Sequence, residues 1–340
     1  MPDDRAIRFL LTSSDPSVRL LALTDVIGAS PRSTEVRALR RAIPSGPRVR
    51  ALLAGQRADG GFGVHPYQKW TGAHWRLISL AELAAPPRHP QALQAAEQVL
   101  SWLLGGSHRQ RIVTINGRVR RCASQEGNAL RACVHFGLAD DRRVRALARD
   151  LVTWQWPDGG WNCDQAPAAT HSSFHESLIP LWALAEYREA TGDRSVDDAI
   201  DRAAEFFLRH RLFRSERTGR AIGARSVTRR PRRGVAAPAP FLELAYPPYW
   251  HYDILTALRV FGRLGRLADP RVQEALDIVE ARRRSDGVWR ADVTYWRRGK
   301  TGTRVEAVDW GRGSAEMLTL NALRVLRGAG RLALLEAAGR

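Results

Sequence analysis

The sequence predicts an all-α fold, built from hairpins in which an apolar helix alternates with a more charged one. Three observations support this class. Apolar residues recur at i, i+3 and i+4 over most of the chain. Helices that are apolar all round alternate with amphipathic ones, as expected for an inner and an outer layer. Asp-Gly turns followed by an aromatic residue recur between them. Six such hairpins would close into an (α/α)6 toroid, which leaves no unstacked end.

The predicted helices form two sets. Apolar helices are expected near residues 16–28, 71–83, 124–137, 172–189, 250–264 and 314–327. More charged helices are expected near 33–42, 46–55, 90–104, 141–155, 194–210 and 270–282. We treat residues 1–340 as a single toroid domain, with helical hairpins in residues 1–56 closing the ring. An open helical solenoid is the alternative arrangement.

Two segments depart from the helical pattern. Residues 111–115 and 118–122 flank Asn116-Gly117, which predicts a small β-hairpin with a type I′ turn. Residues 211–240 are rich in arginine, glycine and proline and predict a long basic loop. Such a loop suits an anionic partner. Phe213 is its one aromatic residue before Phe241, which indicates against base stacking and hence against nucleic acid.

Composition sets broad limits on the class of protein. The formal net charge is +18, but Lys69 and Lys300 are the only lysines, and the arginines are spread over most polar helix faces. This pattern indicates a diffusely basic surface. No apolar run reaches the length of a membrane span, and the N-terminus lacks a signal-peptide pattern. Three cysteines without a CxxC pair predict a reducing, cytoplasmic location.

The recurring turn is clearest at Gln155–Trp161, which reads Gln-Trp-Pro-Asp-Gly-Gly-Trp. Weaker copies stand at Gln56–Phe62 and Arg284–Trp289. The aspartate accepts local backbone N–H groups and the glycine adopts the positive φ of the reversal. These turns resemble the QW-type repeats of squalene-hopene cyclases and the Gly-Gly-aromatic turns of protein prenyltransferase β subunits, over roughly residues 45–330. The resemblance implies a toroid with a central cavity for isoprenoid chains.

The sequence departs from that resemblance in its acidic motifs. The Asp-x-Asp-Asp motif, with which terpene cyclases of class II protonate their substrates, is absent. Residues Asp197-Asp198-Ala-Ile-Asp201 match the diphosphate-binding pattern of class I synthases. They fall in the first turn of a charged outer helix, however, where the helix dipole favours acids. The sequence therefore predicts a short relative of these enzymes with a single toroid, and it does not identify a reaction.

Polar residues fall at the same register near the starts of successive inner helices. His74, Glu126, His175 and His251 each precede an apolar residue by three positions, and Asp253 lies slightly further along its helix. If the ring closes, these side chains meet at one rim of the cavity. We predict that they are the catalytic residues.

Aromatic and metal-binding roles complete the predicted site. Trp75, Trp250 and Tyr252 flank the histidines and are expected to line the apolar-ligand cavity. Cys163, His171 and His175 form a candidate zinc site, since the two histidines are four positions apart. The resemblance adds that prenyltransferase β subunits bind zinc through Asp, Cys and His, as Cys163-Asp164 would. Acid/base chemistry without metal and a structural role stay open.

The predicted function is binding or transformation of an isoprenoid or other apolar ligand in the cavity. A cyclase-like, transferase-like or metal-assisted activity would fit it. Two alternatives stay open: a non-catalytic binding module on the same fold, and an (α/α)6 carbohydrate-active enzyme, which places Glu and Asp at similar helix starts.

Overall fold

The fold is mostly helical, in a computed structural model that describes residues 2–222, 240–295 and 306–332. The all-α class and the small hairpin near 111–122 are confirmed. The α-helices are α1 Pro2–Leu11, α2 Pro16–Leu21, α3 Thr34–Ala42, α4 Pro47–Leu53, α5 Ala73–Glu82, α6 Pro90–Leu104, α7 Gly106–Arg109, α8 Ala123–His135, α9 Arg142–Trp154, α10 Phe174–Thr191, α11 Asp197–Arg209, α12 Ile254–Arg263, α13 Gln273–Ala281 and α14 Gly311–Gly328. A π-helical turn, Ala22–Ile27, continues α2, and 3-10 turns span Ile43–Ser45, Arg194–Val196, Pro240–Leu242 and Pro270–Val272.

The chain divides into two compact units. The larger unit comprises the described residues of Leu11–Phe206 and Trp296–Asp309. The smaller unit comprises those of Met1–Leu10, Phe207–Tyr295 and Trp310–Arg340. The single domain 1–340 and the closure of the ring by residues 1–56 stay predictions.

In the larger unit, α8 is the central helix. It packs against α5, α9 and α10, and α5 packs against α6. Gly127 lets α8 and α10 approach closely, because a Cβ there would lie 3.0 Å from the Ile179 side chain and from the Pro180 backbone. Helix α9 instead buries one stripe, formed by Val144, Leu147 and Leu151, while Arg142, Arg145 and Arg149 are exposed. An all-round buried helix and a one-sided helix thus lie side by side, as the hydrophobic pattern predicts.

The hairpin is made by β1, Val113–Ile115, and β2, Arg118–Arg120, paired antiparallel with Val113 opposite Arg120. Asn116 and Gly117 both have positive φ, at 50° and 69°, so the predicted type I′ turn is confirmed. The strand end is fixed to the central turn, since the backbone N–H of Arg121 donates to the Asn162 carbonyl at 3.0 Å. The hairpin therefore determines where Arg121 and Cys122 lie just before α8.

The central turn is held by its glutamine and aspartate. The Gln155 side chain donates to the Gly159 carbonyl and to the Ala199 carbonyl in α11, both at 2.8 Å. Asp158 accepts hydrogen bonds from the backbone N–H and hydroxyl of Ser172. The glutamine thereby joins the turn to α11, a role the sequence motif alone does not specify.

The same contacts recur at the other turns. Gln56 donates to the Gly60 carbonyl at 3.0 Å and to the Gln91 carbonyl in α6 at 2.8 Å. The indole N–H of Trp161 donates to the carbonyl ten residues earlier, in α9, and Trp289 does the same toward α13. Both tryptophans are buried. The turn aromatics are thus packed core residues whose polar atom is satisfied.

In the smaller unit, α12 packs against α13 and α14. The predicted loop 211–240 is described only in part, and residues 223–239 lie outside the described residues. Residues 211–222 form no helix or strand; within them Leu212 and Phe213 are buried, and Arg214 forms a bridge with Ala221.

Across the described residues, no helix combines the length and apolar character that crossing a bilayer requires.

The central turn provides a test of the backbone argument. Gly159 has φ +101°, and a Cβ there would lie 2.4 Å from the Arg202 carbonyl oxygen. We expect Gly159→Ala to lower the free energy of unfolding by at least about 3 kcal/mol, measured by urea denaturation.

Gly192→Ala is the matched control, because φ is +75° but nothing lies within 4 Å of the added Cβ. Its loss should be about 1 kcal/mol, from the backbone conformation alone. Equal losses in the two variants would contradict the close approach of α11 to the turn.

Candidate functional site

A buried ion pair lies at the start of α8 in the larger unit. Glu126 is 1% exposed, and its Oε1 accepts from Nε and Nη2 of Arg121 at 2.8 and 2.6 Å. The Nε2 atom of His108, on α7, lies 3.3 Å from the same oxygen and also contacts Arg121. No described residue donates a hydrogen bond to the second oxygen, Oε2. Oε1 of Glu126 thus accepts hydrogen bonds from Arg121, whereas Oε2 can still accept one from another group.

A second polar chain runs outward from Arg121. Its Nη2 also donates to Oε1 of Gln125 at 2.7 Å, and the Tyr67 side chain lies near that of Gln125. Burial raises the pKa of Tyr67 well above its usual value, so the phenol stays protonated. Tyr67 therefore contributes a neutral hydroxyl beside the ion pair.

His74, near the start of α5, lies among aromatic rings. Its ring centroid is 5.4 Å from that of Tyr67, 5.0 Å from Trp75 and 5.7 Å from Trp102. The side chain is 1% exposed, and neither ring nitrogen has a hydrogen-bond partner among the described residues. Burial, followed by the charges of Arg121 and His108, lowers the pKa of His74 to about 3. The imidazole is therefore neutral at physiological pH.

A cluster of two thiols and a carboxylate lies close to this region. The Sγ atoms of Cys122 and Cys163 and a carboxylate oxygen of Glu176 all lie within 4.8 Å of one another. Cys122 ends the hairpin segment, Cys163 follows the central turn and Glu176 lies in the first turn of α10. All three are half-buried, and both thiols are free. The three elements thus converge on one set of potential metal ligands.

The predicted metal ligands are only partly brought together. Cys163 belongs to the cluster, whereas His171 and His175 do not. Helix α10 begins at Phe174, with Ser173 as its N-cap, so His171 lies before the helix and the i, i+4 relation does not apply. Burial lowers the pKa of His175 to about 4. Zinc binding through His171 and His175 stays a prediction without geometric support.

The remaining predicted residues lie in the smaller unit. His251 is stacked between Trp250 and Tyr295, with centroids 3.5 and 3.7 Å away. Both oxygens of Asp253 accept hydrogen bonds: Oδ1 from the Thr256 backbone and hydroxyl, and Oδ2 from the Ala245 N–H. Asp253 is thus the N-cap of α12, which supplies a structural reason for its position. Tyr252 is buried, at 3% exposure. Catalytic roles for His251 and Asp253 stay predictions.

Sequence reasoning found His74 and Glu126 but missed their partners. Three of these partners lie on short or irregular segments: Tyr67, His108 and Arg121. The fourth, Trp102, lies on α6, which the sequence pattern assigns to the more charged set of helices. One signal was available: Arg121-Cys122 directly precedes an inner helix at the end of the predicted hairpin. Residues there necessarily lie near the helix start.

No family model matches the sequence, and no curated protein matches it either. Among solved structures, the chain is similar to the type II terpene cyclase MstE from Scytonema in complex with merosterolic acid A, at 16% identity and a TM-score of 0.27. It is also similar to the same enzyme in complex with geranylgeranyl dihydroxybenzoate, at 14% identity and a TM-score of 0.30. Each match covers 84% of this chain and 96% of the other. With identities and TM-scores this low, neither match carries an argument here.

His74 predicts a pH dependence of stability. Its pKa is about 3 in the folded chain against 6.5 for a solvated histidine, so between these values the unfolded chain binds a proton that the folded chain does not. Stability should therefore fall as pH drops from about 6.5 toward 3, by at most about 1.4 kcal/mol per pH unit for this group. His74→Gln should reduce the slope, as followed by urea denaturation at several pH values.

His171→Gln is the control, because this histidine is exposed. It should leave the slope unchanged. An identical slope in the wild type and His74→Gln would contradict a buried neutral imidazole at position 74.

The ion pair predicts a non-additive mutational effect. Arg121→Met leaves the Glu126 carboxylate buried without its main partner and should cost about 3 kcal/mol of stability. In Arg121→Met/Glu126→Gln no charge is left unpaired, so the double variant should lose less than the sum of the single losses. A double-mutant cycle of urea denaturation measures the coupling. Strict additivity would show that the two side chains do not interact.

Proposed function

We propose that the larger unit binds an isoprenoid or other apolar ligand whose polar end contacts His74 and Glu126. The observation that carries this proposal is the environment of His74: a buried imidazole whose two nitrogens lack hydrogen-bond partners among the described residues, surrounded by aromatic rings.

The nitrogens of His74, unpaired among the described residues, carry an energetic cost. A buried polar group without a hydrogen bond costs about 1–3 kcal/mol, so such groups in folded proteins usually have a partner or a function. A ligand hydroxyl or carbonyl at His74 would supply the partner. The free Oε2 of Glu126 offers a second acceptor for a ligand hydroxyl.

The apolar class of the ligand follows from the rings. Tyr67, Trp75 and Trp102 lie around His74, with Tyr67 in ring contact with both tryptophans at 5.2 and 5.4 Å. Aromatic faces contribute large apolar contact area and suit unsaturated hydrocarbon chains. The choice of an isoprenoid within this class rests on the resemblance of the Gln–Asp-Gly–aromatic turns, since the surrounding rings would accept other hydrocarbons.

Transformation of the ligand is proposed in general form only. Nε2 of His108 and Oε1 of Glu126 lie 3.3 Å apart. These two groups are suited to transfer a proton to or from a bound ligand. His175, which also belongs to the larger unit, remains a predicted contributor. The site either carries out a cyclase-like or transferase-like step or binds its ligand without reaction.

The test compares two ligands of equal chain length. A prenyl alcohol should raise the thermal midpoint of the purified protein, whereas the prenyl hydrocarbon without the hydroxyl should bind more weakly. His74→Phe retains an aromatic ring but removes both nitrogens, and should lower the affinity for the alcohol about tenfold, the equivalent of one hydrogen bond. Affinities follow from calorimetric titration.

His171→Gln serves as the histidine control and should bind the alcohol as the wild type does. Mass spectrometry of an organic extract of the purified protein checks for a retained ligand. If neither compound binds, or if His74→Phe binds the alcohol unchanged, the proposed ligand contact is refuted.

A further inference from the structure

We propose that Cys122, Cys163 and Glu176 form a zinc-binding site. The ligand set differs from the one expected from sequence, since the carboxylate of Glu176 and a second thiol replace the two histidines. The site uses residues other than those assigned to the apolar ligand. The zinc site can therefore be tested independently of the proposed function.

The distances fit a metal ion after small adjustments. With Zn–S distances near 2.3 Å and Zn–O near 2.0 Å, ligand atoms in a tetrahedral site lie about 3.5–3.8 Å apart. The Sγ atom of Cys163 lies 3.8 Å from Oε1 of Glu176, already at that spacing. All three ligand atoms lie within 4.8 Å of one another, so convergence requires side-chain shifts on the order of 1 Å.

The donor types select the metal. Two thiolates favour Zn²⁺ over the hard cations Mg²⁺ and Ca²⁺, which prefer oxygen ligands. Three protein ligands leave the fourth tetrahedral position for water or another small molecule. Two thiolates and a carboxylate exceed the charge of Zn²⁺ by one, so the complex would carry a net charge of −1 near Arg121, which already pairs with Glu126.

The carboxylate is already oriented from outside the cluster. The backbone N–H of Ser124, in the first turn of α8, donates to Oε2 of Glu176 at 3.0 Å. This contact occupies one oxygen and leaves Oε1, the oxygen that Cys163 contacts, for a metal. Outer hydrogen bonds of this kind fix ligand orientation in metal sites.

The elements that hold the ligands are themselves connected. The hairpin segment before Cys122 and the turn segment before Cys163 are joined by the hydrogen bond from Arg121 to Asn162. Trp161, two residues before Cys163, is bonded through its backbone N–H to the Ser177 hydroxyl in α10, next to Glu176. The three ligands are thus held by segments that hydrogen bonds within the protein connect.

The test measures metal binding by the full-length protein, reduced and freed of metal with a chelator. Zn²⁺ is titrated in competition with a chromophoric chelator, and one equivalent should bind. Co²⁺ should give the thiolate-to-cobalt charge-transfer absorption that reports sulfur ligation. Cys122→Ser, Cys163→Ser and Glu176→Gln should each weaken binding by about tenfold or more, and the serine variants should lower the charge-transfer intensity.

Two variants serve as controls. Cys133→Ala removes the third thiol, which is fully buried in α8, and His171→Gln removes one of the two histidines of the ligand set predicted from sequence. Both should bind Zn²⁺ as the wild type does. Circular dichroism confirms that each variant is folded, and the Co²⁺ spectrum of the wild type tests sulfur ligation even where a variant does not fold.

Three results would overturn the proposal. These are absence of Zn²⁺ uptake by the reduced wild type, a Co²⁺ complex without thiolate absorption, and folded Cys122→Ser or Cys163→Ser proteins with wild-type affinity. None of them depends on a prenyl ligand, so failure of the zinc site leaves the ligand proposal intact.

Discussion

The ion pair between Arg121 and Glu126 is the interaction on which the candidate site depends. A carboxylate that is 1% exposed needs compensating charge, because its removal from water costs several kcal/mol. Arg121 supplies this charge only while β2 ends in register beside the central turn, where its backbone N–H bonds to Asn162. Hairpin register, turn position and the start of α8 are therefore constrained together. His108 adds a third group on the same oxygen and links the pair to the ring cluster around His74.

The fold was predictable where its signals are local. The alternation of all-round apolar and one-sided helices follows from i, i+3, i+4 spacing, and the hairpin follows from Asn116-Gly117. Helix α1 was missed, since its ten residues contain a strongly charged start and a short apolar end. In the loop predicted from residue 211, the burial of Leu212 and Phe213 depends on tertiary packing that arginine content does not reveal.

The candidate site was predictable only in part, for a similar reason. His74 and Glu126 were found because both lie on regular helices, where register determines depth. The short helix that carries His108 and the hairpin end that carries Arg121 have no periodicity, and their positions depend on long-range contacts. The predicted metal set applied helical spacing to His171, which precedes the N-cap of α10, and it stays a prediction. Cys122 and Glu176 are 54 positions apart, as their numbers show, so no local pattern joins them.

The start of α8 connects the two proposed centres. Its free N–H groups and partial positive charge favour anions. The backbone N–H of Ser124 donates to the Glu176 carboxylate. The side chains of Gln125 and Glu126 accept hydrogen bonds from Arg121. Cys122, immediately before the helix, is adjacent in sequence to Arg121. An ion bound at Cys122 would therefore restrict the hairpin end that positions Arg121, and through it the carboxylate of Glu126. On this argument a metal would act on the ligand site by holding its charged groups in place, without touching the ligand itself.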